Sequence, residues 1–239
     1  GDMAPLDQIT ALANHYNAAV MIDDAHASGI YGIEGRGAAE HFSVTKDIDF
    51  LMGTLSKAFG AIGGFVSGKK DLIDMLKVNT STYYFTSSLP ASEAGALIKS
   101  ISIAKNEPGL RKKLWTNVYR LLKGLLGIGL EFPLRFSQII PIMVYEEKVA
   151  FQLEDFLYKK GVLCSAVTVP AVAPNMARLR VSVNATHTDE HIDMLLNVLS
   201  EAASLFNLPK KAYSKKDWEI FLAQTPKYIL QLIDINKGN

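Results

Sequence analysis

Two short, largely apolar runs that each end abruptly in polar residues constrain this chain most. Residues 18–23 run into Asp23, Asp24 and His26, and residues 48–54 run into Thr54, Ser56 and Lys57. Runs this short, apolar at successive positions, predict buried strands rather than half-exposed ones. Residues 63–67 predict a third strand. Ahead of the first run, Leu6, Ile9, Leu12, Ala13 and Tyr16 recur at helical spacing, with Pro5 suited to a first turn. Alternating helix and strand predicts an α/β fold with its sheet covered on both faces. In open α/β sheets, ligands gather beyond the carboxyl ends of the strands, and these polar residues fall there.

The second half changes style. It predicts a long helical stretch over residues 91–126, interrupted near Pro108-Gly109, and a strand over 138–145. A helix over 149–160 closes at Gly161, and strands follow over 162–168 and 178–183. Thr188 opens another helix, with Asp189 and Glu190 in the first turn, where the helix dipole favours acids. The expected organisation is a large-domain half over residues 1–106, a small α+β domain over 107–208, and a helical tail over 209–239. The tail is lysine-rich, then carries Trp218, Phe221, Leu222, Tyr228, Ile229 and Leu232, as one or two amphipathic helices would.

Composition excludes several classes. With 25 basic and 24 acidic residues and a net charge of +1, the chain has no field to gather nucleic acid or an anionic membrane. A hydrophobic share of 49% supports a packed core rather than disorder. The single cysteine, Cys164, cannot form an internal disulfide, so nothing calls for an oxidising compartment. No apolar stretch approaches the ~20 residues of a membrane helix, and residues 1–5 do not read as a signal peptide. A cytoplasmic location is expected. The lysine-rich tail reads as a solvated extension, with peripheral membrane attachment as the alternative.

The chemistry concentrates in Gly53-Thr54-Leu55-Ser56-Lys57-Ala58-Phe59-Gly60, followed by Gly63-Gly64. A lysine placed after a buried strand among small residues is expected to be poorly solvated, which lowers its pKa and frees a nucleophilic amine. Hydroxyls at Thr54 and Ser56 can bind phosphate oxygens, and the glycines admit a bulky ligand. This is the equipment for a Schiff-base lysine holding pyridoxal phosphate. The alternative is a surface lysine in a glycine-rich turn; the order of residues is wrong for a Walker P-loop. The two acids and His26 sharpen the choice. Pyridoxal phosphate needs a buried carboxylate against its ring nitrogen, and a nearby histidine can hold the ring oxygen. The rival, an Asp/His metal site, lacks a matching ligand cluster, and no metal is expected. His187 and His191 stand four apart, but with no glutamate at 188 and no third ligand they do not read as zinc ligands. His15 and His41 read as structural, and Tyr83-Tyr84-Phe85 as aromatic strand residues of the core.

These motifs carry a resemblance. Ile22-Asp23-Asp24-Ala25-His26, Gly35-Arg36-Gly37-Ala38-Ala39-Glu40-His41-Phe42, the lysine block, Tyr84-Phe85-Thr86-Ser87-Ser88-Leu89-Pro90 and Ala177-Arg178-Leu179-Arg180 occur in order. From Gly1 to about Leu208 the chain resembles the α-oxoamine synthases, which are fold-type I pyridoxal-phosphate enzymes. The resemblance implies an α/β fold: part of an aminotransferase-like large domain followed by a smaller α+β C-terminal domain. It implies Lys57 as the Schiff-base lysine, Asp23 on the ring nitrogen, His26 on the ring oxygen and Thr54 on the phosphate. It further implies Ser87, or the adjacent Thr86, as a phosphate ligand given to a neighbouring subunit, hence a homodimer with shared active sites.

Arg180 matches the family residue that grips the substrate carboxylate. Arg178 shares its parity, so that choice rests on the match and not on periodicity. The implied reaction condenses an amino acid with an acyl-CoA, with loss of CoA and carbon dioxide, to an α-amino ketone, Lys57 removing the α-proton. Members of the family are usually about 400 residues long, so the chain is expected to be a C-terminal portion. Val169-Pro170-Ala171-Val172-Ala173-Pro174 and Ala185-Thr186-His187-Thr188 resemble bacterial serine palmitoyltransferases. The 8-amino-7-oxononanoate synthases, 2-amino-3-ketobutyrate CoA ligases and 5-aminolevulinate synthases are the alternatives within the family. A non-catalytic partner subunit and a nucleotide-binding α/β module are the alternatives outside it.

Overall fold

A computed structural model describes residues 1–233 as two compact units, one comprising Met3–Gly109 and the other Leu110 onward together with Gly1–Asp2. In the first, helix α1 (Leu6–His15) precedes strand β1 (Met21–Asp23). A long turn and the short helix α2 (Ala38–His41) lead to β2 (Phe50–Thr54) and β3 (Gly64–Gly68). Helices α3 (Lys70–Asn79), α4 (Ser81–Tyr84) and α5 (Ala91–Asn106) complete the unit.

The sheet order is β1-β2-β3. β1 runs parallel to β2, with Asp23 opposite Met52, and β3 returns antiparallel to β2, with Gly64 opposite Thr54. Within this unit β3 is exposed along its whole length, and Met21 and Val66 present apolar side chains.

A second correction concerns Tyr83, Tyr84 and Phe85. They lie on and just after α4 instead of in a strand, and Phe85 is 89% exposed. Their β propensity reports a preference for packed sheet surfaces, and here no sheet neighbour offers one.

In the second unit, α6 (Pro108–Ile128) buries Leu114, Trp115, Val118, Leu121, Leu122 and Leu125, an i, i+3, i+4 stripe. Strands β4 (Ile139–Tyr145), β5 (Ser165–Val167) and β6 (Ala177–Ser182) form an antiparallel sheet in the order β4-β6-β5. Helices α7 (Glu147–Lys159) and α8 (Asp189–Leu205) bury apolar stripes of their own. Gly161 ends α7 with φ +83°; its N–H bonds Tyr158 O at 2.9 Å, and the Val162 N–H bonds Leu157 O at 2.9 Å. That pair of bonds is the Schellman motif, and it explains why a glycine stands there.

The described part of the tail is tied into this unit. The Phe132 N–H donates to the Tyr213 hydroxyl at 2.9 Å. Helix α9 (Lys215–Gln224) begins at a Ser214–Asp217 capping box and stacks Phe221 on Phe136, with ring centroids 4.9 Å apart. Helix α10 (Lys227–Ile233) buries Ile229. No described helix is long and apolar enough to cross a membrane.

His187 and His191 cap the start of α8. Nδ1 of His191 accepts the Thr188 N–H and Nδ1 of His187 accepts the Asn184 N–H, each at 3.2 Å. Buried Asn117 donates to both Asn184 O and His187 O at 2.9 Å. An accepting nitrogen cannot carry a proton. Burial, with His191 beside it, holds the His187 imidazole below its ordinary value. A depressed histidine contributes stability above the ordinary imidazole value and loses it as pH falls through the folded one. Urea midpoints taken at pH about 7.5 and about 5.5, on either side of the ordinary imidazole value, should therefore differ, the acidic one being lower. His187→Gln should narrow that difference; an unchanged difference would remove His187 as its source.

Candidate active site

The parallel pairing of β1 and β2 brings two sequence-distant clusters to one sheet end. Asp23 closes β1 opposite Met52, and Thr54 lies two residues further along β2. Alternation puts Asp23, Met52 and Thr54 on one face. Beyond β1 the backbone coils at once, Ala27 N–H and Ser28 N–H both bonding Asp24 O at 2.9 and 3.0 Å. His26 sits exposed in that turn.

The two adjacent acids have different employment. Asp24 is 1% exposed. Its Oδ2 accepts the Ser28 hydroxyl at 2.7 Å and its Oδ1 accepts the Ala38 N–H at 2.9 Å, so both oxygens brace the turn. Any Cβ on Gly37 would overlap the Asp24 carboxylate, so the chain passes this point as glycine. Burial pushes the Asp24 carboxyl up, against the two hydrogen bonds that favour its anion. Asp23 is exposed, and its Oδ1 accepts the Ala25 N–H at 2.9 Å. Within this unit Asp24 is the buried acid of the pair and Asp23 the exposed one. The reason is strand parity, which sends Asp24 to the same side as buried Ile22 and Asp23 to the side of exposed Met21.

Lys57 lies at the tip of the β2–β3 loop. Leu55 N–H to Gly63 O and Ala61 N–H to Leu55 O, both 2.9 Å, close the base of that loop. Thr54 Oγ1 lies 2.9 Å from Ser56 Oγ, so two hydroxyls converge beside the lysine. Within this unit Lys57 is exposed, in the turn beyond the end of β2. It makes no ion pair among the described residues.

Thr86 and Ser87 occupy an exposed loop between α4 and α5. Leu89 pins that loop near the same sheet end, its side chain 3.1 Å from where a Cβ on Gly63 would stand.

Arg178 and Arg180 share one face of β6, while Ala177, Leu179 and Val181 are buried on the other. Arg178 Nε donates to Met176 O at 3.0 Å. Arg180 Nε is buried without a hydrogen-bond partner, and the residue makes no ion pair among the described residues. A buried guanidinium nitrogen left open is ready for an oxygen ligand. Cys164 is buried and its thiol is pushed up to about 11, mainly by burial, so it is no nucleophile. Sequence reasoning did not single out Asp24 as a brace, although alternation from Ile22 would have found it.

Comparison with known proteins follows the same lines. Residues 1–199 match the family described as aminotransferase class I and II. An 8-amino-7-oxononanoate synthase of Petrotoga mobilis is 41% identical over 197 residues, covering 82% of this chain and 50% of that protein. A serine palmitoyltransferase of Bacteriovorax stolpii is 36% identical over 209 residues, covering 87% and 50%. Among solved structures, SPT with pyridoxal phosphate superposes with a TM-score of 0.83 at 30% identity, covering 87% of this chain and 53% of that one. The chain spans about half the length of the curated relatives it matches.

Proposed function

This chain belongs to the aminotransferase class I and II family, on its α-oxoamine synthase branch, and from that premise we propose that it carries the lysine half of a pyridoxal-phosphate-dependent acyltransferase. The reaction condenses an amino acid with an acyl-CoA and releases CoA and carbon dioxide, leaving an α-amino ketone. The observation that carries this reading is the division of labour between the two acids. Asp24 is buried and holds the turn with both oxygens, while Asp23 stays exposed on the face it shares with Thr54, at the sheet end that leads into the Lys57 turn.

The donor set suits the cofactor: an exposed carboxylate for a ring nitrogen, two hydroxyls for phosphate oxygens, and an unpaired primary amine. Lys57 would attach it, Asp23 would keep its ring nitrogen protonated, His26 would hold its ring oxygen and Thr54 its phosphate. Pyridoxal phosphate, when bound, supplies an electron-accepting ring conjugated to the substrate's α-carbon. The protein's own share is acid–base and positional. Nζ of Lys57, once free, takes the α-proton, and Asp23 holds the compensating positive charge in place.

Arg180 binds the amino acid's carboxylate through its planar fork. Truncating one side of such a pair costs about 2–5 kcal/mol. Arg180→Ala should thus weaken amino-acid binding by about thirtyfold or more, measured by the spectral change on titrating amino acid into the cofactor-loaded protein. Arg178→Ala should bind nearly normally. The reverse pattern would show that Arg178 is the carboxylate ligand.

A homodimer with shared sites belongs to this proposal. Thr86 and Ser87 reach a neighbour's phosphate from the exposed loop, and exposed Tyr83, Tyr84 and Phe85 flank them with apolar surface suited to burial. Cytoplasmic location is part of the same reading. The substrate pair is decided by assay. CoA release from serine with palmitoyl-CoA marks a serine palmitoyltransferase. Release only with an acyl-CoA ending in a carboxylate, to give 8-amino-7-oxononanoate, marks the other branch. No CoA release with any amino acid, from a protein that binds the cofactor, would contradict the acyltransferase reading.

A further inference from the structure

The loop that presents Lys57 is held from outside by two residues that take no part in the reading above. Ser100, on α5, donates its hydroxyl to Phe59 O at 2.9 Å, across 41 residues of sequence. It lies one helical turn beyond Leu97, the buried residue of that helix. The turn after β1 also approaches the loop, at Gly29. A Cβ there would stand 2.9 Å from the Ala58 Cβ and 3.5 Å from Cζ of Phe59. Gly29 also has φ +84°, a conformation that side chains disfavour. The residues immediately after Lys57 are thus bonded by α5 at Phe59 and wedged at Ala58 by the turn that bears Asp23 and His26. Inside the loop only a few main-chain bonds resist movement, Gly60 N–H to Lys57 O at 3.2 Å among them.

We propose that Ser100 and Gly29 are positioning residues. Together they fix where Lys57 Nζ stands relative to Asp23, and so set the reactivity of the lysine toward an aldehyde-bearing cofactor. The inference rests on Lys57 as the attachment residue. Two contacts at adjacent residues of a short loop, one a hydrogen bond and one a close packing contact, restrict it more than either alone. An exposed lysine on an untethered turn would sample many positions; one on a doubly held turn keeps its amine near one. Ser100→Thr retains the hydroxyl and should behave as wild type, while Ser100→Ala removes the bond and leaves the Phe59 carbonyl to water. Gly29→Ala drives a methyl into Ala58 and displaces the loop directly.

The test uses the full chain. Pyridoxal phosphate is added, and its adduct is trapped with borohydride and mapped by mass. The rate of trapping at Lys57 and the pH midpoint of the visible absorption are followed in wild type, Ser100→Ala, Ser100→Thr and Gly29→Ala. Amide exchange across residues 55–63 is measured without cofactor. In Ser100→Ala we expect trapping at Lys57 to slow about five- to tenfold, the scale of one lost hydrogen bond. The pH midpoint should move and exchange in the loop should quicken, while the thermal midpoint stays near wild type. Ser100→Thr should restore all three. Gly29→Ala should act in the same direction and more strongly, and Ser100→Ala serves alone if that variant does not fold.

Wild-type trapping at Lys57 with an unchanged rate and pH midpoint in Ser100→Ala would overturn the inference and leave the functional reading standing. Wild-type trapping at some other lysine would overturn the functional reading, and the inference with it. A lowered thermal midpoint in Ser100→Ala with an unmoved pH midpoint would show a purely structural tie, which also overturns the inference.

Discussion

Lys57→Ala should abolish condensation, lowering turnover by at least about 10³-fold. On the proposed reading two functions would be lost together: attachment of the cofactor, and a base at the α-carbon. An exposed lysine at a loop tip is ordinarily replaceable, and the expected loss is large only because Lys57 stands beyond the end of β2, beside the paired hydroxyls of Thr54 and Ser56. The folded state should hardly notice. The side chain makes no ion pair among the described residues and packs under nothing in its unit, so the thermal midpoint should stay within a degree or two, as surface changes do. Turnover above about a tenth of wild type, read as CoA release, would contradict the assignment.

Replacing the two neighbouring acids should separate chemistry from folding. Asp23→Asn removes the anion that, on the proposed reading, would keep a ring nitrogen protonated. It should reduce α-proton exchange by about 10²-fold, the scale of one lost preorganised electrostatic contact. Stability should change little, since an asparagine oxygen can still accept the Ala25 N–H. Asp24→Ala should do the opposite. It leaves the Ala38 N–H and the Ser28 hydroxyl buried without their acceptor, a cost of about 2 kcal/mol or more. Proton exchange into the amino acid and urea unfolding, measured on both variants, decide the matter. A stable, exchange-dead Asp24 variant beside an active Asp23→Asn would reverse the roles.

The strands around the site were legible because each is a short apolar run, and the polar residues at their ends marked where a ligand would sit. The ends themselves were less legible: residues 18–20 read as strand, yet β1 begins at Met21, because its pairing is limited by the partner and not by hydrophobicity. The solvation of Lys57 could not be read from its neighbours in sequence, since it depends on what lies over the loop. The choice between Asp23 and Asp24 was legible in principle, for alternation from Ile22 points Asp24 inward. His187 and His191 carried a readable signal of a different kind: Thr188 with a side chain at the third helical position is the pattern of a capping box, here closed by imidazole instead of carboxylate. The contact from Ser100 to Phe59 had no local signal at all, being a product of how α5 lies against the β2–β3 loop.

On the proposed reading, this chain holds pyridoxal phosphate through Lys57. Borohydride reduction of the chain incubated with the cofactor, followed by proteolysis and mass mapping of the modified peptide, tests it most directly. The modification should fall on the peptide that contains Lys57, and Asp23→Asn should retain it. A modification spread over Lys46, Lys69, Lys70 and Lys77 in proportion to their exposure, with none favoured at Lys57, would contradict the claim.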